Sequence, residues 1–115
     1  MKETNRKHDR IESLNLLNYI CMDEKGQKAV QGMGRTLNVS QGGILLETHV
    51  PIQLSHSILL TIGLEDELID IKGKIVYCKS NVRNKYESGI NFYEINETAQ
   101  SVLNKYIIAF REQNT

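Results

Sequence analysis

Leu68-Ile69-Asp70-Ile71-Lys72-Gly73-Lys74-Ile75-Val76-Tyr77 alternates cleanly. Ile69, Ile71, Ile75 and Tyr77 fall on one side of an extended chain, and Asp70, Lys72 and Lys74 on the other. Successive strand side chains point to opposite faces, so the stretch predicts a half-buried antiparallel strand with one wet face. Beyond a polar loop at 81–85, Tyr86, Ser88, Ile90 and Phe92 alternate with Glu87, Gly89 and Asn91, which makes the next strand. Upstream, Ile58 to Gly63 reads as a strand, with the turn at Glu65-Asp66 leading back into 68–77.

The same reading extends toward the N-terminus. Ser13 to Met22 is apolar and β-compatible, and Asp23-Glu24-Lys25-Gly26 supplies a turn. A second strand runs from Lys28 to Val39, where Gly32 and Gly34 predict a bulge or bend. Ile44 to Glu47 makes a short third strand that Pro51 closes, because proline cannot donate to a ladder. At the other end the period changes to that of a helix. Asn96 is a good N-cap, and Ala99, Val102, Leu103, Tyr106, Ile107 and Phe110 form one apolar stripe. Ile108 interrupts the polar face of that helix and is a candidate partner contact. The expected fold is all-β, a small six-stranded antiparallel barrel (about 13–93) with a C-terminal α-helix (about 96–112). It forms one domain over 11–115, preceded by a flexible arm at 1–10.

The chain has 115 residues, 40% of them hydrophobic, enough for one core. Lys+Arg and Asp+Glu are both 14, so bulk attraction to nucleic acid or anionic lipid is not indicated. Cys21 and Cys78 lie inside apolar patterns without a CxxC spacing, which predicts buried, reduced thiols. No apolar run is long enough to span a bilayer and no signal-type core follows the charged N-terminus, so the expectation is a cytoplasmic chain. His8, His49 and His56 are too scattered for a metal site. With no nucleophile–base pair and no phosphate loop, neither catalysis nor a cofactor is expected.

Two separated elements suggest a binding site instead. Asn38 and Ser40 stand two residues apart, on the same side of an extended backbone, and Gly42-Gly43 follows them. Far upstream, Arg6-Lys7-His8-Asp9-Arg10 offers two planar cations suited to phosphate and to aromatic faces. Polar groups of this kind fit a phosphorylated purine. RKHDR followed, after the 27 residues from Ile11 to Leu37, by NVSQGG resembles the PilZ domains that bind cyclic di-GMP. That family's pattern is RxxxR and then [D/N]xSxxG. Gly89-Ile90-Asn91-Phe92 is also similar to a recurrent PilZ ending.

The resemblance implies a bacterial receptor or adaptor that changes conformation on binding the second messenger. Arg6 and Arg10 would hold phosphates and stack on guanine, Asn38 and Ser40 would bond a guanine edge, and Gly43 would keep the turn open. Asn5 stands where members that take a stacked ligand pair often carry a further arginine, which points toward one molecule per site. Lys7, His8, Arg35 and Arg83 are candidates for added positive charge or for solvated surface. The implied outputs are motility, pili, exopolysaccharide synthesis or virulence, through a protein partner. Two other readings stay open: a PilZ-like scaffold without ligand, and a small nucleic-acid-binding barrel. The second suits neither the zero net charge nor the scarcity of exposed aromatics.

Overall fold

A computed structural model of the chain describes residues 15–54 and 56–113. Among the described residues six strands are followed by a helix: β1 Leu16–Met22, β2 Lys28–Val39, β3 Gly43–Thr48, β4 Ser57–Leu64, β5 Glu67–Ser80, β6 Tyr86–Tyr93 and α1 Glu97–Gln113. All neighbouring strands are antiparallel and close into a barrel in the order β1-β2-β3-β6-β5-β4. Closure comes from β1 pairing with β4, Tyr19 facing Leu60, so the sheet keeps no free edge.

Inward alternation builds the core. Leu17, Tyr19 and Cys21 from β1 meet Leu46 from β3, Ile58, Leu60 and Ile62 from β4, and Ile90 from β6. Burial pushes the Cys21 thiol up to about 11, which keeps it protonated and inert. Cys78 is only half-buried, a departure from expectation, and both cysteines are free. Helix α1 starts where expected, with Asn96 Oδ1 accepting from the Ala99 N–H at 2.8 Å. Its predicted stripe is buried, and Tyr106 reaches β2 to share a 2.8 Å hydrogen bond with Thr36. Among the described residues, no helix is long and apolar enough to cross a membrane.

Bulges correct two readings. On β5, Ile71 and Ile75 face the core as expected, but Tyr77 is 43% exposed. Ile75 pairs with Ile90 and Tyr77 with Gly89, so Val76 is an extra residue that turns Tyr77 out of the inward row. On β2, the irregularities fall opposite Cys21/Met22 and between Thr36 and Asn38, not at Gly32 and Gly34. Both glycines lie in regular register with β1.

Candidate functional site

The β2 bulge aims the Asn38 side chain. Thr36 pairs with Leu46 and Asn38 with Leu45, leaving Leu37 unmatched. Without that extra residue Asn38 would follow Thr36 into the core; with it, Asn38 is exposed and Val39 is buried. Asn38 Oδ1 accepts from the Val39 N–H at 2.9 Å, which fixes the amide and leaves its NH₂ as the outward group.

The turn after Asn38 is strapped to β6. Ser40 N–H donates to the Gly43 carbonyl at 2.9 Å, and Phe92 N–H donates to the Gly42 carbonyl at 2.9 Å. A side chain at Gly43 would run into the carbonyl oxygen of Ile90, so only glycine allows this approach. The Ser40 hydroxyl lies 3.4 Å from the Gly43 carbonyl, long for an O–H···O bond, and the residue is exposed. Asn38, Ser40 and Gly43 line one shallow depression of about 230 Å³, together with Tyr77 and Asn91. The three motif residues are therefore brought together.

Ser40 also borders a second, larger cavity of about 660 Å³, between the turn and α1. Gln41, Gly42, Asn104, Ile107, Ile108 and Arg111 line it. Gln41 Nε2 donates to Asn104 Oδ1 at 3.2 Å, and Gln100 donates to the same oxygen at 3.1 Å, so the turn is tied directly to the helix. Ile108 is 59% exposed at its rim, as the helical pattern predicts.

Arg35 and Arg83 do not join the motif; both belong to a cluster around Glu47, which is 3% exposed. Arg35 Nε sits 3.1 Å from Glu47 Oε1, Arg83 Nη1 is 3.8 Å from Oε2, and Asn81 donates to Oε2 at 2.8 Å. Burial alone pushes the Glu47 carboxyl up. The hydrogen bonds from Asn81 and Arg35 and the two guanidinium charges outweigh it, holding the carboxyl below its ordinary range. These cations balance a buried charge. Arg6 and Arg10, with Lys7 and His8, lie outside the described residues.

The sequence pattern missed Tyr77, which a bulge carries into the depression. Gly89 is the one local signal, because a side chain there would collide with the Tyr77 ring.

A family model described as PilZ domain matches residues 4–109, a range that contains both Arg6 and Arg10. No curated protein matches the sequence. Among solved structures, the PilZ domain of CeSA from a cellulose-synthesizing bacterium is similar with a TM-score of 0.61 and 13% identity. The match covers 84% of this chain and 93% of that one. The PilZ domain of Escherichia coli YcgR, described with c-di-GMP, gives a TM-score of 0.62 at 8% identity, with 86% and 84% coverage. Bacillus subtilis MotI/DgrA, described as an inhibitor of motility, gives 0.61 at 21% identity. That match covers 87% of this chain, which spans about half the length of MotI (48%). At these identities the structural likenesses speak to the fold.

Proposed function

The chain belongs to the PilZ domain family, and we propose that it is a bacterial receptor for cyclic di-GMP, acting as an adaptor and not as an enzyme. The carrying observation is the exposure of Asn38 and Ser40 on one depression, beside a Gly43 that no other residue could replace without collision. RxxxR at Arg6 and Arg10 supplies the complementary half of the family's pattern within the matched range.

Chemistry assigns the parts. Arg6 and Arg10 pair with the phosphates through charge-assisted bonds. Asn38 spends its carbonyl on Val39, so its NH₂ donates to the O6/N7 acceptor edge of guanine. Ser40 offers a hydroxyl beside it. Ligand pockets generally run to about 300–1,000 Å³, so the 230 Å³ depression suits one base while the phosphates remain outside it, to be paired by Arg6 and Arg10.

The Gln41–Asn104 bond gives a route to output. Ligand that braces the turn and gathers the arm alters the surface along α1, where Ile108 is exposed. The partner is a protein, in motility, pili, exopolysaccharide synthesis or virulence. Exposure of Ile108 also suits the scaffold reading, in which α1 docks a partner without ligand. Thermal unfolding separates the two: an upward shift with cyclic di-GMP and none with GTP supports the receptor, and no shift with either favours the scaffold.

A further inference from the structure

We infer that the outer face of β2, β1 and β4 is a self-association surface, covered by the same face of a second copy of this chain. The inference stands apart from the receptor reading. On β5 the outward row carries charge at Asp70, Lys72 and Lys74, as a solvated barrel face should. The neighbouring strands depart from that rule. Leu16, Asn18, Ile20 and Met22 point outward from β1, and Leu59 and Thr61 from β4. Cross-strand pairing sets Met33 of β2 beside Asn18 and Thr61, and Gln31 beside Ile20 and Leu59. Leu16 is 45% and Met33 51% exposed, while Ile20, Met22 and Leu59 are half-buried. None of these positions is charged, in a chain where 24% of residues are.

Charge selects the occupant. The block holds no cations for a nucleic acid or an anionic membrane, and its edges carry both signs: Lys28 and Arg35 along β2, Asp70, Lys72 and Lys74 along β5. An apolar, methionine-bearing centre within a charged rim is the make-up of a protein interface. A two-fold pair lays the block on itself, so each centre meets a surface with no charge to desolvate. The amides of Asn18 and Gln31 carry both donors and an acceptor, so the face can satisfy its own polar groups. Two copies of zero formal net charge also approach without mutual repulsion. Three strands about 4.8 Å apart, over the seven residues of β1, span roughly 300 Å². A standard interface buries about 800 Å² per partner, so the rim must contribute and the pairing is weak and reversible. In the barrel order β1 stands across from β6, whose Asn91 lines the depression, so pairing leaves that site open.

The test is sedimentation equilibrium of the full chain from about 10 μM to about 1 mM, where the parent should pass from monomer toward dimer mass. Asn18 is exposed on the middle strand of the block, close to where the two-fold axis must run, and its substitution leaves the core untouched. Asn18→Lys and Asn18→Glu, each checked for folding by circular dichroism, set like charges against one another and should weaken pairing at least about tenfold. An equimolar mixture of the two should regain association, a rescue that a damaged fold could not give. Met33→Lys repeats the charge test from the neighbouring strand. A parent that stays monomeric throughout, pairing in Asn18→Lys as strong as in the parent, or a mixture that regains nothing overturns the inference and leaves the receptor reading intact.

Discussion

Thr36 and Tyr106, seventy residues apart, share a buried 2.8 Å hydrogen bond between the helix and the strand that delivers Asn38. Thr36 is the last β2 residue in register before the bulge, so this bond fixes the helix against the base of the site. Removing the phenol strands the threonine hydroxyl in the core, where an unmatched polar group costs about 1–3 kcal/mol. Tyr106→Phe should therefore lower the stability measured by urea unfolding by that amount, while the fold is kept.

Glu47 makes the barrel sensitive to acid. A carboxyl held below its ordinary 4.5 binds fewer protons in the native state than in the unfolded one. Its contribution to stability is complete above that value and is lost as pH falls through the lower native one. Unfolding midpoints measured between pH 7 and roughly pH 3 should fall in the parent. They should fall less steeply in Glu47→Gln, which begins from lower stability because a buried charge cluster has lost its centre.

Gly43→Ala tests the strap. The added methyl is forced against the Ile90 carbonyl, so the turn must lift from β6, a strain of about 1–3 kcal/mol. The expected result is a lower melting temperature together with weaker cyclic di-GMP binding. Unchanged values of both would mean that the turn tolerates a side chain.

Much of this architecture is written locally. Ile71 and Ile75 bury because alternation has a period of two, and α1 begins at Asn96 because its side chain caps the first turn. Bulges escape such a reading. One extra residue at Val76 or Leu37 reverses the parity of every later position in its strand, and neither Ile-Val-Tyr nor Thr-Leu-Asn carries a mark of it. Hence Asn38 and Ser40 are legible as a same-side pair, while Tyr77 reads as core. Barrel closure between β1 and β4 and the gathering of Arg35, Asn81 and Arg83 around Glu47 are long-range pairings, invisible to spacing. Arg35 and Arg83 accordingly read as surface or pocket cations.

Arg6 and Arg10 lie outside the described residues, so their roles are tested in solution. Loss of a charge-assisted bond of about 1.5–3 kcal/mol corresponds to roughly a ten- to hundredfold loss of affinity. Arg6→Ala and Arg10→Ala should each show it, with melting temperatures unchanged in the absence of ligand. Ligand should also slow proteolytic cleavage around Arg6 to Arg10, and equal cleavage rates would count against ordering of the arm.

Isothermal titration of the purified chain with cyclic di-GMP, with GTP as control, decides whether the chain is a receptor. A receptor should give a saturable signal at micromolar concentration or tighter, with about one ligand per chain, and none with GTP. Absence of heat at high cyclic di-GMP, with no rise in melting temperature, would contradict it and leave the scaffold reading, with Ile108 on α1 as the contact to pursue.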